Sequence, residues 1–151
     1  GLGGSGACSF FGSSGVAPIP PDTPIDDIRR ALAAVADASA PISVSFERPM
    51  RFMQTDIIVL PLDPHGDLRA LHERIATSGL PFARARFSFS PHCTLNFFTT
   101  LTPDMERRLR PVRITDPVLI DRLQCYLTVE PVGGRHILDV PLGPNGASPA
   151  P

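Results

Sequence analysis

In the stretch Ser90-Pro91-His92-Cys93-Thr94-Leu95-Asn96-Phe97-Phe98 an imidazole and a hydroxyl stand two residues apart, with apolar side chains between and beyond them. On an extended strand this spacing puts His92, Thr94 and Asn96 on one face and Cys93, Leu95 and Phe97 on the other. The apolar face would anchor the strand and the polar face would be displayed. A ring nitrogen and a hydroxyl placed in this way can act on one phosphate, the ring moving a proton and the hydroxyl donating to a non-bridging oxygen. Histidine suits the first task because its reference pKa, about 6.5, lies near neutrality. The competing account is a structural histidine, hydrogen-bonded on a strand and chemically idle.

The elements that must position this pair are legible in outline. Thr23-Pro24 reads as an N-cap followed by proline at the first helical position, with Asp26 placed to meet free amides of the first turn. Ile25, Ile28, Leu32 and Val35 follow at helical spacing, which predicts a helix over 24–38. Pro41 ends it, and Ile42, Val44 and Phe46 alternate with Ser43, Ser45 and Glu47 as a strand near 42–47. Ile57-Ile58-Val59-Leu60 is a continuous apolar run, which predicts a strand within 55–62 covered on both faces. Leu68, Leu71 and Ile75, closed by Gly79, give a second helix over 65–78. Extended stretches are expected at 82–89 and 92–98, and Thr102-Pro103-Asp104 repeats the Thr-Pro helix start. A strand near 118–129, a turn at Pro131-Val132-Gly133-Gly134 and a return strand near 135–140 form a closing hairpin. Helices interleaved with paired strands give an α+β fold.

Length and composition narrow the function. At 151 residues one compact domain is expected, over 1–142, with a loose tail at 143–151. A net charge of −1 argues against sequence-independent clamping of duplex nucleic acid and leaves room for a small phosphate-bearing ligand. All 14 basic residues are arginine. Cys8, Cys93 and Cys125 make no C-x-x-C pair and no metal-ligand spacing, so neither a disulfide framework nor a metal site is expected. Such cysteine usage makes a reducing, cytoplasmic compartment the expectation, and with no apolar run of about 18 residues and no signal-peptide pattern at the start no membrane contact is expected. A monomer without cofactor is expected as well.

Ser-Pro-His-Cys-Thr-Leu at 90–95 resembles the second signature of the 2H phosphoesterase superfamily, usually Pro-His-hydrophobic-Thr-Leu. That group includes RNA 2',3'-cyclic phosphodiesterases and 2'-5' RNA ligase-like proteins. Ile57–Leu62 followed by Leu68-Arg69-Ala70-Leu71-His72 looks like the strand and helix that precede the motif, and Cys125–Val140 looks like the closing hairpin. The resemblance, running from about residue 7 to 142, implies two pseudo-symmetric lobes of mostly antiparallel sheet around a central cleft, each supplying one H-x-T or H-x-S strand. It implies a metal-independent reaction that opens 2',3'-cyclic phosphates to 2'-phosphates, or cleaves and joins related phosphodiesters, with one histidine as general base and the other as general acid. RNA ends or small nucleotides bearing a cyclic phosphate would be the partners.

The chain departs from that pattern in its N-terminal part. Of the four histidines, His65, His72, His92 and His136, only His92 heads an H-x-[ST] sequence. Laying Ala7-Cys8-Ser9 on His92-Cys93-Thr94 makes Ser9 the phosphate-holding hydroxyl and puts Ala7 where the first histidine belongs, with Phe10 and Phe11 as the apolar run after it. The opening strand and helix that usually precede the first motif are not found, so an incomplete or rearranged N-terminus is expected. His72 is offset from its helix's apolar stripe and reads as a surface or boundary residue, and His65, in Asp-Pro-His-Gly-Asp, as a turn residue. His136 faces either the core or the cleft. Tyr126 is placed either to present its ring to a base or to cover the sheet, and Arg84 and Arg86 read as a solvated edge rather than a phosphate clamp. Three functions follow: a phosphoesterase with His92 and Thr94 at its centre; a degenerate relative that binds a nucleotide or RNA end with little turnover; and a structural domain.

Overall fold

The computed structural model describes residues 19–20, 22–84, 88–96, 100–128 and 134–144. Ala7, Cys8, Ser9, Phe10 and Phe11, with Arg86, Phe97, Phe98 and 145–151, lie outside the described residues. The chain runs α1 (Ile25–Asp37), β1 (Ile42–Val44), β2 (Met50–Arg51), β3 (Ile58–Pro61), α2 (Asp67–Ala76), β4 (His92–Thr94), α3 (Pro103–Leu109), β5 (Val118–Ile120), β6 (Arg122–Thr128) and β7 (Gly134–Pro141). Every described strand pairing is antiparallel: β1 with β5, β2–β3–β4 in that order, and β6 with β7. The fold is α+β, as the alternation of periods implied.

The apolar stripes meet in one core. Ile28, Leu32, Val35 and Ala36 of α1 and Leu68, Leu71 and Ile75 of α2 pack with Ile42, Val44, Leu62, Ile120, Leu123, Leu138 and Val140 from the strands. An isolated bridge between Phe46 and Leu62, with the Glu47 amide donating to the Pro61 carbonyl at 2.8 Å, joins the β1 segment to the end of β3. This ties the end of the β2–β3–β4 sheet to the core, in which Leu62 is buried and against which Phe46 packs. Ile58, Val59 and Leu60 are all buried, so alternate residues of β3 are covered on both faces.

Three local expectations are corrected. Pro24, not Thr23, is the N-cap of α1, and the Thr23 hydroxyl instead donates to the Pro20 carbonyl at 2.7 Å, closing a turn. Among the described residues no amide donates to the Asp26 carboxylate, which pairs with Arg29 on the exposed face. The second Thr-Pro start behaves as the pattern predicts, Thr102 accepting from the Met105 amide at 3.3 Å. The strand expected over 118–129 is two strands, because the chain changes partner at Asp121, leaving β1 and joining β7.

α2 is fastened at its start by a residue outside it. Asp63 adopts a left-handed backbone (φ 64°), which aspartate tolerates better than most residues, and its carboxylate accepts from the amides of Leu68 (2.9 Å) and Arg69 (3.0 Å). The negative charge also complements the helix dipole. From this fixed helix Arg69 donates to the Phe89 carbonyl at 3.1 Å, and the His72 ring stacks on Phe89 with centroids 4.3 Å apart. The half-buried His72 is therefore a boundary residue that grips the segment leading into β4.

Candidate functional site

β4 is short and lies at the edge of its sheet, so what fixes it decides what its side chains can do. Its register on β3 is Pro61 opposite His92, Leu60 opposite Cys93 and Val59 opposite Thr94. Backbone bonds close the ladder at both ends: the Leu62 amide donates to the Pro91 carbonyl (3.0 Å) and the Leu95 amide to the Ile58 carbonyl (2.8 Å). Directly opposite residues share a face, so His92, Thr94, Val59 and Met50 lie on one side of the sheet.

Asn96 is not displayed beside them, contrary to strand parity. The regular strand stops at Thr94, and Asn96 is buried, 3% exposed. Its Oδ1 accepts from the Ile58 amide at 2.6 Å and its Nδ2 donates to the Asp56 carbonyl at 2.9 Å. Asp56 in turn accepts from the Leu101 amide through Oδ2 at 3.1 Å. A buried amide with donor and acceptor both satisfied is a clamp: it ties the exit of β4 to the entry of β3 and the chain leading into α3.

His92 and Thr94 are both half-buried, on consecutive same-face positions roughly 6–7 Å apart along the strand. The His92 Nδ1 lies 2.6 Å from the Ser90 carbonyl. A carbonyl only accepts, so Nδ1 carries the proton and donates, which leaves Nε2 as the lone-pair nitrogen of the neutral ring. Nε2 can then take a proton, and once protonated can return it. The Phe52 ring lies against the imidazole with centroids 4.4 Å apart and planes tilted by 33°.

The other candidates belong to other elements. Tyr126 and His136 are register partners on β6 and β7, with rings edge to face at 5.3 Å. A bulge between Cys125 and Tyr126 makes Ile137 the extra residue of β7. Ile137 and Leu138 consequently both serve the core, and His136 is exposed on the other face, which excludes the core placement that the alternation had left open. There its Nε2 lies 2.8 Å from the Asp139 carboxylate, and the Tyr126 hydroxyl donates to Gln124 Oε1 at 3.2 Å. Hydrogen bonds from His136 first, and from Gln124, hold the Asp139 carboxyl below its usual range. Burial alone pushes the Cys125 thiol up, as expected of an inert core cysteine. Arg84 is exposed, and His65 is exposed in the turn before α2. Among the described residues, no hydrogen bond or ring contact joins His136 to His92. An open depression of about 600 Å³ lies between the start of α1 and the end of α2, lined by residues such as Arg30 and Ser78, and includes neither His92 nor Thr94.

Phe52, Ser90 and Asp56 escaped sequence reasoning. Ser90 stands beside the motif with nothing local to mark its carbonyl as the partner of the ring, and Phe52 and Asp56 carry no local signal, being brought in by the β2–β3 pairing. Among the described residues no group of three or more His, Cys, Asp or Glu side chains is arranged to hold a metal. No helix of the described residues is long and apolar enough to cross a membrane.

A clamped edge strand that carries a Pro-His-x-Thr-Leu sequence is the feature to set against known families, and a family model described as the 2'-5' RNA ligase superfamily matches residues 16–128. The chain belongs to the 2'-5' RNA ligase superfamily. The match takes in the β2–β3–β4 sheet and both residues of the H-x-T pair, and begins after the Ala7–Ser9 segment. No curated protein matches the chain. Membership supports phosphoesterase-like chemistry on RNA or nucleotides.

Proposed function

We propose that this member of the superfamily is a metal-independent phosphoesterase that opens 2',3'-cyclic phosphates, or acts on 2'-5' phosphodiester ends, of RNA or small nucleotides. The observation that carries the reading is the His92 ring, tied by Nδ1 to the Ser90 carbonyl, on a clamped strand that shows Thr94 on the same face. In hydrolysis, water attacks phosphorus and loses a proton while the departing 3'-oxygen gains one, leaving a 2'-phosphate. His92 Nε2 serves one of those transfers and the Thr94 hydroxyl donates to a non-bridging oxygen.

The second transfer needs a partner across a cleft between two related lobes. In this reading Ser9 faces Thr94 there, Tyr126 presents its ring to the substrate, and Ala7 occupies the position of the partner histidine. Binding and turnover are thereby uncoupled, so the chain holds a cyclic nucleotide and opens it slowly. This also accommodates a role as a weakly catalytic binder of RNA ends, with Ala7 as the feature favouring it.

The test follows product formation from a 2',3'-cyclic nucleotide, with and without a chelator, in the unaltered chain, His92→Ala and Ala7→His. Expected are slow, chelator-insensitive turnover that His92→Ala abolishes, and a rise of about 10²–10⁴-fold in Ala7→His, the usual contribution of one positioned proton-transfer group. No product from any of the three, or turnover indifferent to His92, would overturn the proposal.

A further inference from the structure

An imidazole on a half-buried edge strand has two torsions to settle, and a hydrogen bond from Nδ1 fixes the ring only in its own plane. The described contact on the ring's face comes from Phe52, at 4.4 Å between centroids. That phenyl group is held more firmly than its place just beyond β2 would suggest. The Phe52 amide donates to the Ile57 carbonyl at 2.8 Å, and its carbonyl accepts from the Thr55 hydroxyl (2.5 Å) and the Thr55 amide (3.2 Å). The Thr55 hydroxyl also accepts from the Ile57 amide at 3.2 Å, closing the turn on itself. The next residue, Met53, is non-glycine yet sits at φ 52°, a conformation that persists only where its surroundings impose it. On the other side Arg51 reaches Glu106 of α3 at 3.8 Å.

We infer that Phe52 is a positioning residue for His92: its ring fixes the face of the imidazole as the Ser90 carbonyl fixes its plane, so that Nε2 points away from the strand with one face of the ring left for substrate. The strained turn is the device that keeps the phenyl group there. Phe52 touches no reacting atom in this account and acts through His92 alone. The inference rests on the proposed chemistry for its effect on rate, and on the ring contact for its effect on the imidazole.

The experiment therefore reads both. In the full chain, nitrogen-15 NMR of the imidazoles reports which nitrogen of His92 carries the proton, and the His92 ring protons report the neighbouring phenyl ring through its ring current. Expected in the unaltered chain are an Nδ1–H tautomer and ring protons shifted upfield. Phe52→Leu, which keeps bulk without an aromatic face, removes the upfield shift and mixes the tautomers. It lowers kcat on a 2',3'-cyclic nucleotide by about 10- to 100-fold, the scale of a small misplacement of a reacting group, with KM unchanged. Phe52→Tyr keeps the ring and restores spectrum and kcat together. If Phe52→Leu leaves the His92 tautomer and the kcat alone, or if Phe52→Tyr lowers kcat as much as Phe52→Leu does, Phe52 is packing only and the inference fails. If no variant turns over the nucleotide while the His92 spectrum still changes as described, the proposed function has failed and the positioning role stands.

Discussion

His92 and His136 each sit on a strand of an antiparallel pair with one ring nitrogen engaged, and they differ in which nitrogen that is. His92 gives Nδ1, the nitrogen nearer the backbone, to the Ser90 carbonyl, and its distal Nε2 makes no hydrogen bond among the described residues. His136 has its distal Nε2 against the Asp139 carboxylate. Their supports differ as well. Around His92 the polar contacts that hold the strand are buried, Asn96 above all. Around His136 they are solvated, with its side chain 44% and that of Asp139 40% exposed. The first region is built to hold a geometry; the second is a surface network that covers a hairpin.

If that contrast is right, damage to the β2–β3–β4 sheet should cost far more than damage to the outer face of β6–β7. Leu60 is wholly buried at the centre of the sheet, and Leu60→Ala should destabilise the protein by about 2–5 kcal/mol, read by denaturant unfolding. A loss near zero would mean that the sheet is not part of the stable core.

Asn96→Ala comes next. It strands the buried Ile58 amide and the Asp56 carbonyl, and each buried group left unsatisfied costs roughly 1–3 kcal/mol. The same variant should loosen β4, seen as faster amide exchange at Leu95, while β6–β7 keeps its protection. Equal loosening of both regions would erase the distinction drawn between them.

Asp139→Asn should be the mildest and should depend on pH. A carboxyl held below its usual range in the folded state stabilises the fold when ionised, so its contribution is present above the unfolded value and is lost as pH falls through the folded one. The variant should therefore be slightly less stable than the parent at pH 7, by under about 1 kcal/mol for exposed partners, and the gap should close well below the ordinary carboxylate range of about 4. A gap that widens in acid would reverse the assigned sign.

The elements whose damage costs most are those the sequence made plain. The apolar stripes of α1 and α2 and the run Ile58–Leu60 announce themselves because burial imposes a period on side chains. His92 and Thr94 were legible for the same reason, parity on a strand. Parity failed at Asn96 because the strand ends two residues earlier and a polar side chain then follows its hydrogen bonds rather than the pleat. It left His136 undecided because one extra residue in β7 inverts every side chain beyond it. The two Thr-Pro starts look alike as text, yet only Thr102 caps its helix, since Thr23 finds the Pro20 carbonyl first. The Phe52–His92 contact joins residues 40 positions apart and had no local sign at all.

The central claim is that His92, and not His136, is the proton-transfer group of the described fold. The most direct measurement is the rate of 2',3'-cyclic nucleotide opening in Ala7→His, compared with the same chain carrying in addition His92→Ala or His136→Ala. The account predicts a loss of about 10²–10⁴-fold for His92→Ala and an unchanged rate for His136→Ala. A rate that collapses with His136→Ala and survives His92→Ala would contradict it.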